Sequence, residues 1–227
     1  MLSTMDTALG IMAYIGALGL TALASSLLAG FVAAKARGLP GAWTLVVFLC
    51  GVALWSLAMA APAMLGVKAA SFTLTVIALS PLPSAAFVHL VFAFALCGAL
   101  RPVAWASYCV AVVASLAGIL LGVGRIMPWH GFAGAFVPSL VGWGVLAVAA
   151  ALSVAGHLRL FQTWRQQSGL HRDQAGAVFV SSGIGLLALT GFAFPALGIE
   201  AYPWPVLALP LYSVALVYAV LLSLIHI

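Results

Sequence analysis

The sequence predicts an all-α membrane protein: a bundle of seven transmembrane helices with its N-terminus outside and its C-terminus in the cytoplasm. Three observations lead there. Seven apolar stretches take up nearly all of the 227 residues; 66% of the residues are hydrophobic and only 5% charged; and the few basic residues are distributed unevenly between the connections. A soluble domain carries about 25% charged residues. Continuous runs of about 20 apolar residues match a hydrocarbon core of roughly 30 Å, whereas a membrane barrel shows shorter alternating segments. Because lipid offers the backbone no hydrogen-bond partner, each run must be helical.

The spans are expected near residues 8–33, 42–65, 71–97, 103–123, 133–156, 177–198 and 204–222. Met1–Thr7 contains Asp6 and no Lys or Arg, so the first span lacks the positive leader of a secretory signal and is expected to remain. The third span carries Ser80-Pro81-Leu82-Pro83-Ser84 and should kink or unwind there, since each proline removes an amide donor and crowds the preceding turn. Ser80 and Ser84 stand ready to cover freed carbonyls. Lys35, Arg37, Arg101, Arg159, Arg165 and Arg172 fall on one side of this arrangement and only Lys68 and Arg125 on the other. By the positive-inside rule the six-charge side is cytoplasmic. The net charge of +5 therefore reads as a topology signal, and no nucleic-acid patch is expected.

The polar inventory narrows the function classes. Cys50, Cys97 and Cys109 lie in or beside apolar runs without CxxC spacing and read as buried apolar cysteines, so no metal or redox site is expected. His89 lies well inside a span, where a bond to a facing hydroxyl or carbonyl is the plain reading and a proton relay the sharper one. Haem between helices ordinarily takes paired histidines, and His130, His157 and His171 are assigned to loops. Both lysines, Lys35 and Lys68, are loop residues, which removes a retinal Schiff base. Asp6 and Asp173 lie on opposite sides, which removes an aspartyl protease. No catalytic residue and no cofactor is expected in this chain. A small permease remains as an alternative, on the strength of the broken third span.

Three stretches carry a family likeness. The first is the proline-led third span, Pro83 through His89 to Phe94, followed by the turn Arg101-Pro102. The second is the connection after span five, with Thr163-Trp164-Arg165-Gln166-Gln167 and His171-Arg172-Asp173-Gln174. The third is the last span, opening at Tyr202-Pro203 and closing at Leu216–Leu221. In this order the chain resembles the N-terminal seven-transmembrane sensor region of bacterial histidine kinases, a module also found ahead of other outputs such as diguanylate cyclases. The resemblance implies a multi-pass protein of the bacterial cytoplasmic membrane that senses a small or lipophilic ligand. It also implies a homodimer formed through a cytoplasmic output domain.

At the end the likeness breaks. Leu222–Ile227 replaces the basic exit of such sensors and looks like a translated sequencing adapter, so residues 1–221 are expected to form the sensor domain, 222–227 an artefactual tail including His226, and the output domain to be missing. A sensor must hold two states that bind its ligand differently. The expected switch and ligand residues are Pro81, Pro83 and His89, with Trp55, Tyr108, Trp143 and Tyr212 as walls of a cavity between spans. Packing is the plainer reading for those aromatics. Trp129, His130, Tyr202 and Trp204 are expected in an interfacial belt, and Arg159, Arg165 and Arg172 with Trp164 in a basic cytoplasmic loop touching headgroups.

Overall fold

The computed structural model describes residues 4–35, 41–94, 101–212 and 214–216. Cys97, Arg37, the part of the last expected span beyond Leu216, and the tail 222–227 with His226 lie outside the described residues. Five helical stretches are long and apolar enough to cross a membrane: Ala8–Lys35, Ala42–Ala93, Pro102–Leu121, Leu140–Gln166 and Arg172–Ala193. Trp204–Leu216 forms a shorter apolar helix. The chain is thus an all-α membrane protein in class, with one small β element that the sequence reading did not foresee.

Helix α1 (Thr4–Lys35) packs along α2 (Ala42–Leu65) in the most extensive helix pair of the molecule. The second stretch, Ala42–Ala93, folds back on itself. At its far end α2 closes on Gly66, whose N–H bonds Pro62 and whose φ of 58° lies in the left-handed region open to glycine. A 3-10 turn, Gly66–Ala69, leads into α3 (Ala70–Ala78), and the Thr73 hydroxyl donates to the Ala58 carbonyl at 2.9 Å across the hairpin.

The expected break is present. Leu79 and Ser80 form a turn, and Pro81 opens a new helix, α4 (Pro81–Phe94), at the position where a missing N–H costs nothing. The Ser84 hydroxyl bonds the Ser80 carbonyl at 3.4 Å, whereas the buried Ser80 hydroxyl has no partner among the described residues. Pro83 packs directly against Gly51 of α2, where any side chain would collide with the pyrrolidine ring.

After α5 (Arg101–Leu121) comes the correction. Residues 133–138, expected to begin a span, are strand β2 (Phe132–Pro138), paired antiparallel with β1 (Gly124–Trp129). His130 and Gly131, with φ of 45° and 83°, make a two-residue turn of type I′, whose twist matches that of paired strands. The ladder shifts register between Met127 and Trp129, around Pro128, which has no N–H to contribute. Phe132, Gly134 and Phe136 are buried in alternation, as strand geometry requires.

The hairpin seats on the α2–α3 turn so closely that a Cβ on Gly66 would stand 2.9 Å from the Ala133 carbonyl oxygen. Ser139 then caps α6 (Leu140–Gln166): its hydroxyl accepts from the Gly142 N–H at 3.1 Å and donates to the Gly122 carbonyl at 2.8 Å. Helix α7 (Gly169–Leu189) continues through a 3-10 turn (Thr190–Ala193) toward Trp204–Ala208. Residues 157–166 and 169–176, read from the sequence as a cytoplasmic loop, are therefore helical.

Buried side chains gather at both ends. Tyr14, Leu18, Met59, Ile77, Ile126, Phe132, Phe136 and Val206 belong to the large cluster beneath the hairpin. Leu28, Val32, Leu45, Leu49, Tyr212 and Leu216 form a second cluster near the Lys35 end of α1 and the start of α2, and Phe87, Val91 and Leu160 a third.

Candidate functional site

An aromatic chamber lies beneath the hairpin, where four separate parts of the chain converge. Helix α1 supplies Tyr14, α2 supplies Trp55 and Met59, the hairpin supplies Trp129 and Phe132, and the turn after α7 supplies Phe192. Tyr14 meets Phe132 and Phe192 edge to face, with ring centroids 5.0 and 6.1 Å apart, and Trp55 meets Phe192 at 4.6 Å and 80°. Trp129 stacks on Phe132 at 5.8 Å and 19°, and Phe132 in turn on Tyr202 at 6.4 Å. Edge-to-face and offset stacks are the arrangements favoured by ring quadrupoles.

Two hydroxyls tie this chamber to α1. Tyr14 donates to the Met59 carbonyl at 3.4 Å, and Tyr202 donates to the Gly10 carbonyl at 2.7 Å across 192 residues of sequence. Burial raises the Tyr202 phenol above its ordinary pKa, so at neutral pH it stays a donor. Inside is a cavity of about 20 Å³ lined by Tyr14, Met59, Trp129, Phe132, Phe192 and Pro203 among others. That volume suits a single water-sized group. The indole Nε1 of Trp129 is buried with no hydrogen-bond partner among the described residues. A buried N–H costs about 1–3 kcal/mol when unmet, so the chamber favours a carbonyl or hydroxyl oxygen that can accept from it.

A second polar group stands near the other end. The Tyr108 hydroxyl lies 3.5 Å from His89 Nδ1, the rings meeting edge to face at 84°. Ser153 of α6 donates to Ser84 of α4 at 3.2 Å, and His157 Nδ1 lies 2.7 Å from the Ser153 carbonyl. A carbonyl only accepts, so Nδ1 carries the proton, which leaves Nε2 as the ring's other polar atom. That nitrogen is buried without a partner among the described residues, with the His157 ring between those of Phe87 and Phe179 at 5.1 and 6.3 Å. His157 was expected in a loop; it sits inside α6 because Gly156, Leu160 and Thr163 continue one buried helical face beyond it.

The sequence-predicted residues do not surround one cavity. His89 and Tyr108 come together, and Pro81 and Pro83 form the helix break as expected. Trp55 joins the hairpin-end chamber, whereas buried Tyr212 packs on Gly185 of α7, at 3.0 Å from where a Cβ would stand, in the second cluster. Trp143 is 41% exposed on α6 and does not line the chamber's cavity. Cys50 and Cys109 are exposed on their helices rather than buried in the bundle.

Arg159 and Arg165 belong to α6 and Arg172 to α7, so the basic loop is in fact two helix ends. Arg159 bonds Gln162 at 3.2 Å and lies over the Phe92 ring at 5.9 Å; Arg165 lies over Phe161 at 5.7 Å. Trp164 turns inward, stacking on Phe179 and covering Gly176. Of the four expected belt residues, Trp204 is 68% exposed and suits a belt, whereas Trp129 and Tyr202 face the chamber.

Tyr14, Phe132 and Phe192 were not foreseen as site residues. Phe132 alone had a signal in the sequence, the His130-Gly131 pair, a turn dipeptide between two runs with apolar residues at alternate positions. Comparison of the chain with family models, with curated proteins and with solved structures finds no match.

Proposed function

We propose that this chain is the transmembrane sensing region of a bacterial sensor histidine kinase, passing a signal received at the hairpin end to an output domain in the cytoplasm. In this reading it forms seven spans in the cytoplasmic membrane. The stretch Ala42–Ala93 contributes two of them and Trp204–Leu216 begins the last, with the hairpin outside and the basic helix ends inside. The observation that carries the proposal is the aromatic chamber with its buried Trp129 N–H, which has no partner among the described residues. It offers one defined hydrogen bond inside an apolar wall, with room for one water-sized polar group of a ligand.

The relay would run through the broken third span. Helix α3 contacts β1 of the hairpin, and after the Leu79–Ser80 break α4 is tied to α6 by the Ser84–Ser153 bond and to α5 by His89 and Tyr108. A ligand that holds the hairpin in one position shifts the bundle only by its difference in affinity between two states. The output partner, a kinase or another signalling domain, would supply the homodimer contact. Ion permeation is less well supported, because the ionisable side chains at membrane depth that would mark an ion path are sparse.

The test begins with the source gene, amplified outward across the codons for Tyr218–Leu222. A frame that enters a helical linker, a phospho-acceptor histidine and an ATP-binding domain supports the proposal. Trp129→Phe in that full protein is then expected to abolish ligand-dependent autophosphorylation in membrane vesicles while leaving the basal rate. A natural stop after the last span, together with solute flux in liposomes, would replace the sensor reading with a permease.

A further inference from the structure

A groove of about 590 Å³ runs between α5 and α6. Its volume falls within the roughly 300–1,000 Å³ of small-molecule sites. Small residues make it: Ala114 and Ala117 on one wall and Gly144 on the other leave a channel that larger side chains would fill, and a Cβ added at Gly144 would meet nothing within 4 Å. The two helices touch at Gly118, where a Cβ would stand 3.1 Å from a Val145 methyl. Apart from the Cys109 thiol, the side chains lining the groove are hydrocarbon.

The groove extends from Cys109 to Leu121, the last residue of α5, and from Val141, at the start of α6, to Val148. Twelve residue steps along α5 cover about 18 Å at 1.5 Å each. That is close to one leaflet's share of a hydrocarbon core roughly 30 Å thick. A helix from a second copy would cross both leaflets, whereas a single acyl chain occupies one. The groove ends at the Gly122–Ser139 lock, and Arg125 lies just beyond it on β1, exposed and paired in register with Val137. The chain's three acidic residues, Asp6, Asp173 and Glu200, all lie outside α5, the hairpin and α6. One cation thus stands at the headgroup level of an apolar channel.

We propose that this groove binds one acyl chain of an anionic glycerophospholipid, whose phosphate is held by Arg125. The lipid's chain lies along the channel between α5 and α6, beside the segment that anchors the hairpin. Charge decides which headgroup is kept, and groove volume decides whether a chain is kept at all.

Native mass spectrometry of the purified full chain, after exchange into palmitoyl-oleoyl phosphatidylglycerol or palmitoyl-oleoyl phosphatidylcholine, separates these two roles. The wild type is expected to retain the anionic lipid about fivefold better, as one basic residue at an anionic lipid surface implies. Arg125→Gln, on the exposed hairpin, should remove that preference and leave the phosphatidylcholine signal unchanged. Gly144→Leu, whose Cβ would meet nothing within 4 Å, places a side chain in the groove and should lower retention of both lipids. Equal retention of the two lipids by the wild type overturns the headgroup assignment, and undiminished retention in Gly144→Leu overturns the groove. Oxidant-induced Cys109–Cys109 crosslinking of the wild type in bilayers would assign the groove to a second copy instead. Should Gly144→Leu fail to insert, the Arg125→Gln comparison alone decides the headgroup contact.

Discussion

The two ends of the bundle are held by different means. At the hairpin end, aromatic rings from α1, α2, the hairpin and the turn after α7 close on one another, and hydroxyl bonds span long stretches of chain, from Tyr202 to Gly10 and from Tyr14 to Met59. At the basic end the hydroxyls turn back onto their own helices. Thr163 bonds the Arg159 carbonyl, Ser182 the Val178 carbonyl and Ser107 the Ala104 carbonyl. Ser84–Ser153 and His89–Tyr108 bridge helices there through side-chain hydrogen bonds. A hydroxyl that bonds its own helix satisfies itself and leaves the helix free to slide against its neighbours. One end is therefore specified by contacts between elements, and the other by small apolar clusters that tolerate adjustment.

The sharpest way to break this contrast is at the hairpin base. Gly124 has φ of 153°, and any side chain there would run into the Val137 carbonyl, so Gly124→Ala should cost beyond about 4 kcal/mol, in the range where folded protein is lost. Size-exclusion yield from detergent extracts measures it; recovery equal to wild type would mean that the hairpin is not what organises that end. Next comes Phe132→Ala, expected to cost about 3 kcal/mol by leaving a cavity among Tyr14, Trp129 and Tyr202, read as a fall in melting temperature.

A smaller effect belongs to Tyr202→Phe. It keeps the ring stack and removes the bond to Gly10, for about 1 kcal/mol on the same thermal scan. Smallest is Ser153→Ala at the basic end, about 0.6 kcal/mol as is usual for a hydrogen bond between membrane helices. If it proves more costly than Phe132→Ala, the assignment of rigid and adjustable ends is reversed.

How much of this was legible depended on which signal each region used. The helical membrane class was plain from composition, and the break in the third span from Pro81 and Pro83, because proline acts through its own ring whatever surrounds it. The hairpin was obscured because Phe132-Ala133-Gly134-Ala135-Phe136-Val137 is as apolar as a span, and hydropathy alone does not separate a buried strand from the start of a helix. The ends of α6 and α7 were read as loop because Arg159, Arg165 and Arg172 dominated the count. The buried series Gly156, Leu160 and Thr163, spaced by four and three, was the better guide. The chamber was illegible for another reason: Tyr14, Trp55, Trp129 and Phe192 are far apart in sequence, and only the fold brings them together.

The reversal at Gly66 also bears on how the chain enters the membrane. Ala42–Ala93 is one apolar stretch of 52 residues, more than twice the roughly 20 that a crossing needs, with Lys68 as its single charge. Insertion machinery that reads hydropathy alone meets no polar boundary in it apart from that lysine. The two arms are matched to each other: Thr73 reaches Ala58, and Pro83 fits the notch at Gly51. The pair thus meets the bilayer as one helical hairpin whose turn carries Lys68.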